Sequence, residues 1–312
     1  LDIFLKSWHN RGMKILVTGG LGFVGSHLVD ELCKDPRNEV YVIDNLCSAS
    51  STLDNRNNKA TYWIDDIRKL TVTKKYEDEH FDLIFHLAAL ARIQPSFKDP
   101  LEYMSVDVFG TSCVLEYART RPKGKAKVVY AGSSTAFSDV NLNPYAFAKY
   151  TGEQTCKMYS EVFDVSTVVA RFFNVYGNRQ PASGDYATLI GIFENLTKQN
   201  KPLTVTGNGE QRRDFTHVSD IVSGLLALSK GYHTGEVYQL GTGTNYSINE
   251  IARMFKGMIV RVPARPGEAK ETLADISLMK KCFSWQPKVN LEDYVQNFIQ
   301  NLQTDEIMHH PV

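Results

Sequence analysis

Short apolar segments alternate with amphipathic helical patterns along the first half of the chain. The apolar segments, each typical of a buried strand, are KILVTGG, EVYVIDN, FDLIFHLAA, AKVVYAGSS and STVVARFFNVYG. Amphipathic stretches lie between them at residues 23–34, 100–120 and 145–163. This alternation is typical of βαβ units, whose right-handed crossovers place helices on both faces of a parallel sheet. The sequence therefore predicts an α/β fold, a doubly wound parallel sheet of the Rossmann type.

The second half of the chain follows a looser pattern. Helical patterns occur at residues 186–199, 219–230 and 247–257, between turn-rich segments such as VTGNGEQRRDF. We predict a first domain over residues 13–176, which carries the sheet, and a smaller C-terminal ligand-binding lobe over residues 177–312, with some segments returning to the first domain. Residues 1–12 are predicted to be an N-terminal extension outside the fold, because MKILVTGG has the form of a natural start.

The composition argues against several classes of partner. The chain has 312 residues, with 35 Lys plus Arg and 35 Asp plus Glu, so its net charge gives no general attraction to nucleic acid or to an anionic membrane. No apolar run approaches the roughly 18–20 residues that span a bilayer. The five cysteines are far apart and form no C-x-x-C pair, which indicates reduced thiols in a cytoplasmic protein without a metal site. A small molecule is the expected ligand.

A glycine-rich turn joins the first predicted strand to the first predicted helix. LVTGGLGFVGSHL contains Gly19, Gly22 and Gly25. Glycines at such a junction let the backbone approach a pyrophosphate, which the free N–H groups and dipole of the helix N-terminus stabilise. The next strand ends at Asp44, whose carboxylate can accept hydrogen bonds from ribose hydroxyls, and no arginine follows at once to hold a 2′-phosphate. This pattern favours NAD over NADP; the alternative is a tight turn beside an unrelated acid.

Tyr145 and Lys149 lie four residues apart in NPYAFAKY, so a helix would place both side chains on the same face. A nearby cation favours the phenolate form of tyrosine. Tyr145 is therefore a candidate general base, which takes a hydroxyl proton while hydride leaves the same carbon. The alternative is a pair on an exposed helix surface.

Three hydroxyl residues precede this pair: Ser133 and Ser134 end the strand AKVVYAGSS, and Thr135 follows it. The C-terminal ends of parallel strands are where ligands bind in open α/β sheets. A serine hydroxyl there can hold the reacting oxygen or pass its proton to the phenolate. We interpret Ser133 as functional, whereas a role as turn caps is an equal alternative for Ser134 and Thr135.

Further motifs complete a resemblance to a known family. In chain order they are DDIR, FHLAAL, DPLEY, ARFFNVYG, GNGEQRRDFTHVSD, YQLGTG and RPGE. With the glycine-rich turn and NPYAFAKYTGE, they resemble the extended short-chain dehydrogenase/reductase family, and within it the nucleotide-sugar 4-epimerases, over nearly the whole chain from Met13. The resemblance implies an NAD-dependent isomerase of a nucleotide-diphosphate sugar, with a UDP-sugar expected. It also implies a homodimer built from helices at about residues 100–118 and 146–162.

The resemblance assigns roles to individual residues. Ser133, Tyr145 and Lys149 are implied to be the catalytic triad. The predicted NAD-binding residues are Gly19, Gly22, Phe23, Val24, Gly25, Asp44, Asn45, Ser48, Asp66, Ile67, Leu87, Ala88, Ala89, Tyr145, Lys149 and Phe172. The predicted substrate-binding residues are Arg92, Ser134, Thr135, Asn174, Arg213, Arg265, Glu268 and Thr272.

Two arginines are implied to hold the substrate diphosphate, and Glu268 is implied to lie near the nucleotide ribose. Arg213 and Arg265 present planar forks of donors that suit phosphate oxygens, although an exposed salt bridge is the alternative for each. For the neighbouring Arg212 we favour the salt bridge. His217 is interpreted as a packed structural imidazole.

The implied reaction is removal of the sugar 4-hydroxyl proton by Tyr145 with passage of hydride to NAD and back. The favoured substrates are UDP-glucose with UDP-galactose, or UDP-N-acetylhexosamines. A UDP-glucuronate 4-epimerase and another nucleotide-sugar decarboxylase or reductase are alternatives. Related dehydratases carry an Asp-Glu pair where this chain has Ser134 and Thr135, which disfavours dehydration. A non-catalytic NAD-binding regulator is the alternative from another class, and retention of the triad argues against it.

The sugar pocket carries four departures or variable positions. Arg92 is unusual after the strand FDLIFHLAA and would meet either a substrate carboxylate, as in a uronic acid, or a surface acid. Thr272 lies where epimerases vary side-chain size to admit or exclude an N-acetyl group, and its medium size leaves both possible. Phe137 replaces a common tyrosine and Ser138 a common glycine, which leaves the floor of the site open.

Overall fold

The structure is a computed structural model that describes residues 12–48, 50–120, 124–137 and 139–309. The strands are β1 (Lys14–Thr18), β2 (Glu39–Asp44), β3 (Thr61–Ile64), β4 (Leu83–His86), β5 (Lys127–Ser133), β6 (Thr167–Phe172), β7 (Asn174–Tyr176), β8 (Leu203–Thr206), β9 (Arg212–His217), β10 (Thr234–Leu240), β11 (Asn245–Ser247) and β12 (Ile259–Val262).

The helices alternate with these strands. They are α1 (Phe23–Leu32), α2 (Ile93–Lys98), α3 (Pro100–Tyr103), α4 (Gly110–Arg119), α5 (Pro144–Phe163), α6 (Leu189–Lys198), α7 (Val218–Leu228), α8 (Ile248–Met254), α9 (Ser277–Phe283) and α10 (Leu291–His309). A π-helical turn, Met104–Phe109, joins α3 to α4. Short 3₁₀ turns lie at Leu53–Asn55, Ile67–Lys69, Lys74–Tyr76, Ser134–Phe137 and Val140–Leu142.

Seven parallel strands form the central sheet, in the order β10-β6-β5-β4-β1-β2-β3. Side chains that alternate along one strand enter cores on opposite faces: Ile15 and Val17 of β1 pack in one apolar cluster and Leu16 packs in the other. Burial on both faces explains why the inner strands read as continuous apolar runs. The predicted doubly wound α/β fold is confirmed.

A smaller structural unit covers one end of this sheet. β7, β9 and β11 form a three-stranded sheet, and β8 pairs with β12. Phe193, Leu203, Phe215 and Ile251 belong to a separate apolar cluster beneath these strands. The segment STVVARFFNVYG, which we predicted as one strand, divides into β6 and β7, and these two strands join different sheets.

Both edge strands of the central sheet were absent from the predicted set. β3 lies at one edge, and β10, contributed by the C-terminal part of the chain, pairs with β6 at the other. The expected return of C-terminal segments to the first domain is thus visible at β10, while the exact domain boundaries stay a prediction. The predicted extension lies outside the described residues except for Gly12. Within the described ranges, no helix combines the length and apolar character needed to cross a membrane.

Candidate active site

A cavity of about 680 Å³ lies at the C-terminal ends of the parallel strands. Residues that end or follow β1, β2, β4, β5 and β6 form one side of it, and strands, helices and loops of the smaller unit form the other. Every residue that we predicted to bind the cofactor or the substrate, from Gly19 to Thr272, is part of its lining. Phe137 and Arg212 are not. Ser138 lies outside the described residues.

The glycine-rich turn is packed too tightly for larger residues. Gly19 adopts a φ of +70°, and its N–H donates to the carbonyl oxygen of Ile43. A Cβ at Gly25 would lie 2.1 Å from the carbonyl oxygen of Gly19, so the backbone leaves no room for a side chain. α1 begins at Phe23 with Gly22 as its N-cap, and no side chain caps its first N–H groups. Backbone N–H groups therefore face the cavity, as anion binding at a helix N-terminus requires.

The Asp44 carboxylate is fixed at the end of β2. It is 5 % exposed and accepts hydrogen bonds from the backbone N–H groups of Leu21 (3.0 Å) and Leu46 (2.9 Å). Burial raises the pKa of Asp44, and these hydrogen bonds act in the opposite direction. The carboxylate therefore faces the cavity in a fixed orientation, from which it can accept hydrogen bonds from ribose hydroxyls.

The helix α5 brings Tyr145 and Lys149 to the same cavity. Asn143 caps this helix by accepting a hydrogen bond from the N–H of Ala146 (2.8 Å), and Pro144 occupies its first position. The Tyr145 phenol lies close enough to Ser133, at the end of β5, for the serine to lower its pKa. The structure thus brings together the three residues of the predicted triad, which the chain separates by up to 16 positions (149 − 133).

Burial has the largest effect on the pKa of the Tyr145 phenol. Burial raises the pKa of the Tyr145 phenol, hydrogen bonding with Ser133 lowers it, and the charge of Arg92 also lowers it. Lys149 is itself buried, which lowers the pKa of its ammonium, and its Nζ lies 4.4 Å from the centre of the Tyr130 ring. Desolvation therefore dominates the pKa of the phenol, and the role of Lys149 as the cation that favours the phenolate stays a prediction.

A buried carboxylate that the sequence did not reveal lies beside this pair. Asp107, in the π-helical turn, is 1 % exposed, and its Oδ1 accepts a hydrogen bond from the N–H of Leu90 (2.8 Å). Its Oδ2 is buried with no hydrogen-bond partner among the described residues. Burial raises the pKa of Asp107 to about 7, and the charge of Lys149 acts against this shift.

The side of the cavity nearer the smaller unit carries arginine side chains. Arg213, on β9, has a side chain that is 12 % exposed, and its Nη2 lies 3.6 Å from Oε2 of Glu268. Burial lowers the pKa of Arg213, and the charge of Glu268 raises it. Arg265 lies in the same loop as Glu268 and is exposed. These donors can meet phosphate oxygens, since guanidinium groups bind them in pairs of hydrogen bonds.

The side chains that we assigned to structural roles lie outside the cavity. Arg212 pairs with Glu250 (3.1 Å) and donates to Oδ1 of Asn245 (2.8 Å), as the salt-bridge interpretation predicted. His217 caps α7, with its Nδ1 2.7 Å from the hydroxyl of Ser219, which confirms its structural interpretation.

Two tyrosines beside the predicted triad were missed. Tyr103 is buried, and its ring centre lies 6.2 Å from that of Tyr145, in an edge-to-face arrangement. Tyr186 lines the cavity from the loop before α6. Tyr103 ends the motif DPLEY, which was not assigned a role at the site, and Tyr186 stands in none of the motifs named above, so only the fold reveals their position.

Comparisons with known proteins agree with this architecture. Residues 15–241 match the profile of the NAD dependent epimerase/dehydratase family. A UDP-glucuronate 4-epimerase of Thermodesulfobacterium geofontis is 30% identical over 306 residues, covering 89% of this chain and 92% of that protein.

Two solved structures share the fold over nearly their whole length. A UDP-glucose 4-epimerase of Thermotoga maritima, solved with UDP-glucose, has a TM-score of 0.85 and 28% identity, covering 94% of this chain and 99% of that one. A UDP-N-acetylglucosamine 4-epimerase of Methanobrevibacter ruminantium, in complex with UDP-N-acetylmuramic acid, has a TM-score of 0.82 and 28% identity, covering 95% and 99%. With the match over residues 15–241, these likenesses show that the chain belongs to the NAD-dependent epimerase/dehydratase family.

Proposed function

We propose that the protein is an NAD-dependent UDP-hexose 4-epimerase that acts through a transient 4-keto sugar. The observation that carries this proposal is the position of Tyr145, which lies with Ser133 and Lys149 in the same cavity as the glycine-rich turn and Arg213. The substrates named for the three relatives are all UDP-sugars, and they differ in the sugar. The shared UDP-sugar substrates support the proposed reaction class. The differences between the sugars leave the particular substrate open.

The glycine-rich turn fits a dinucleotide. The lack of room for a Cβ at Gly25, the uncapped start of α1 and the fixed carboxylate of Asp44 match what a pyrophosphate and an adenosine ribose need. NAD, when bound, would accept hydride from the sugar C4 and return it. Its positively charged ring would also favour the phenolate form of Tyr145, against the effect of burial.

Residues of this chain would transfer the proton and bind the substrate. Tyr145 takes the proton of the sugar 4-hydroxyl, and Ser133 holds the same oxygen through its hydroxyl. Arg213 and Arg265 hold the diphosphate, so the sugar can turn within the cavity while the nucleotide stays bound. Each face of C4 is then presented in succession, and no net oxidation takes place.

The alternatives differ in what they consume or release. A decarboxylase would release carbon dioxide, and a reductase would consume added NADH. An NAD-binding regulator would need the glycine-rich turn and Asp44 but no base. The shared cavity position of Ser133, Tyr145 and Lys149 supports an enzyme over a regulator.

The proposal is tested by incubating the purified protein, without added cofactor, with UDP-glucose, UDP-N-acetylglucosamine, UDP-glucuronate and UDP-N-acetylmuramate separately. NMR spectroscopy of the sugar protons follows the configuration at C4. We expect at least one of these sugars to epimerise without net formation of NADH. Bound NAD without epimerisation of any of them would refute the proposal.

Tyr145→Phe is the matching variant. We expect it to retain NAD and to lower turnover by about 10²- to 10⁴-fold, because removal of a positioned base has effects of that size. Tyr150→Phe is the control, since Tyr150 lies on the same helix but does not line the cavity. Full activity of Tyr145→Phe would remove Tyr145 from the role of base.

The homodimer stays a prediction. The helices proposed to form it carry exposed apolar side chains, which are Leu101, Phe109, Phe147, Met158 and Val162. Such side chains on neighbouring helices suit an interface between two copies of the chain.

A further inference from the structure

Arg92 presents a guanidinium group to the cavity with most of its hydrogen-bonding capacity unused. It precedes α2, and its Nε donates to the carbonyl oxygen of Tyr186 (3.0 Å). Across the described parts of the chain, its Nη1 and Nη2 make no hydrogen bond or ion pair with another residue. These two groups form the face of the fork that pairs best with a carboxylate.

The surroundings of Arg92 contain phenols rather than carboxylates. The charged or titratable groups that interact with it are Tyr145, Tyr103 and Tyr186, and burial lowers the pKa of its guanidinium. Other partly buried arginines differ in this respect. Arg171 pairs with Glu153 and Arg68 pairs with Asp66 (2.6 Å). Arg92 is half-buried, and a partly desolvated charge without a counter-ion carries a cost, so an anionic ligand at Arg92 would relieve part of it.

Arg92 lies close to the proposed site of proton transfer. The hydroxyl of Tyr103 donates to the carbonyl oxygen of Arg92 (3.0 Å), and the Tyr103 ring packs edge-to-face against that of Tyr145. A sugar whose 4-hydroxyl meets Tyr145 would therefore bring its neighbouring carbons, C3 and C5 with C6, towards Arg92. The diphosphate is already provided for by Arg213 and Arg265, so the anion at Arg92 must belong to the sugar itself.

We propose that Arg92 binds a carboxylate carried by the sugar next to its C4 carbon, so that the preferred substrates are acidic UDP-sugars. This inference rests on the proposed 4-epimerase function. Two kinds of sugar supply the same chemistry: a hexuronate, whose carboxylate is C6, and a sugar with a carboxylate-bearing ether on O3. Nη1 and Nη2 bind either carboxylate in the same bidentate manner.

The test compares turnover of acidic and neutral sugars by the NAD-bound enzyme. kcat/KM is measured for UDP-glucuronate, UDP-N-acetylmuramate, UDP-glucose and UDP-N-acetylglucosamine, with C4 configuration followed by NMR. We expect at least one acidic sugar to exceed its neutral counterpart by about 10- to 100-fold, the size of a charge-assisted hydrogen-bonded pair. A preference for UDP-glucuronate over UDP-glucose assigns the C6 carboxylate. A preference for UDP-N-acetylmuramate over UDP-N-acetylglucosamine assigns the O3 substituent.

Substitutions at Arg92 connect the preference to this side chain. Arg92→Met keeps much of the volume but removes the charge, and we expect it to reduce the ratio of acidic to neutral kcat/KM to near one. Arg92→Lys restores charge without the planar fork, so part of the ratio should return. Arg37→Met is the control, because Arg37 is exposed, pairs with Asp35 and does not line the cavity. Its ratio should equal that of the unaltered protein.

Binding measured without turnover separates this inference from the proposed function. Calorimetry on NAD-bound Tyr145→Phe, with and without Arg92→Met, gives the affinity for UDP-glucuronate, UDP-N-acetylmuramate and their neutral counterparts, and circular dichroism checks the fold. An Arg92-dependent preference for an acidic sugar without any epimerisation by the unaltered protein would uphold the carboxylate site and refute the epimerase. Epimerisation of neutral and acidic sugars at equal efficiency, unchanged by Arg92→Met, would refute the carboxylate site and leave the epimerase intact.

Discussion

The two ends of the cavity are built from different parts of the polypeptide. At the end where we propose the cofactor binds, the glycine-rich turn forms a wall of backbone: a Cβ on Gly25 would meet the carbonyl oxygen of Gly19, and one on Gly19 would lie 2.8 Å from the N of Ala88. At the end where we propose the substrate binds, the walls include long side chains, among them Arg92, which precedes α2, and Arg213 on β9. Backbone atoms give nearly the same site shape whatever the sequence, so such a site accepts one ligand shape. A site lined by side chains changes its shape and charge with each substitution. The same cofactor can therefore serve sugars that differ among relatives.

Gly25→Ala should give the largest effect in this comparison. The added methyl group requires the turn before α1 to open, and we expect the affinity for NAD to fall by about 100-fold or more. The NAD content of the purified protein and a fluorescence titration measure this. Gly231→Ala is the control: its φ of +75° costs about 1 kcal/mol for alanine, but a Cβ there meets nothing within 4 Å. Unchanged NAD affinity of Gly25→Ala would show that the turn does not form the pyrophosphate site.

Arg213→Met tests the opposite end. We expect KM for the UDP-sugar to rise by about 10- to 100-fold, because charge-assisted hydrogen bonds to the diphosphate are lost, while the NAD content stays the same. Arg212→Met is a matched control, since it is the neighbouring arginine on β9 and lies outside the cavity. Steady-state kinetics distinguish the two variants. If Arg213→Met lost its bound NAD, the two ends of the cavity would not bind the cofactor and the substrate separately.

Asp107→Asn should give the smallest effect, and one that depends on pH. The pKa of Asp107 is about 7 in the folded protein and 3.8 for an ordinary aspartate, so folding is favoured by protonation below pH 4 and loses that contribution as the pH rises through 7. Asparagine keeps an oxygen for the N–H of Leu90 and carries no charge. We expect equal melting temperatures at pH 4 and a variant more stable by a few degrees at pH 8.

Asp78→Asn, the same substitution at an exposed position outside the cavity, is the control for this measurement. Calorimetry at both pH values gives the melting temperatures. The melting temperatures of Asp107→Asn and the unaltered protein could also differ by the same amount at pH 4 and pH 8. That result would show that the Asp107 carboxyl does not titrate in this range.

The inner strands were predictable from the sequence, and the edge strands were not. β1, β2, β4, β5 and β6 are buried on both faces and therefore read as apolar runs. β3 has only half-buried and exposed residues, and β10 includes a register shift between Thr234 and Glu236. Each edge strand has one neighbour, so its sequence is less constrained and lacks the signal that identified the others.

The residues of the site divide in the same way. Some could be predicted from short sequence motifs, and others only from the packing of the whole fold. Tyr145, Lys149 and Ser133 stand in recognisable spacing and were predicted to meet. Asp107 and Tyr103 reach the site through burial and helix packing, which depend on the whole fold. The raised pKa of Tyr145 has the same origin, since desolvation is a property of everything around the phenol.

The pairing of β10 with β6 has a consequence for the order in which the protein can be assembled during synthesis. β6 ends at Phe172 and β10 begins at Thr234, so the ribosome adds about 60 further residues before the sheet gains its last strand. Until then β6 has an unpaired edge, which can pair with other chains. A fragment that stops after the fifth predicted strand is therefore expected to aggregate, and the nascent chain depends on its later half to protect its earlier half.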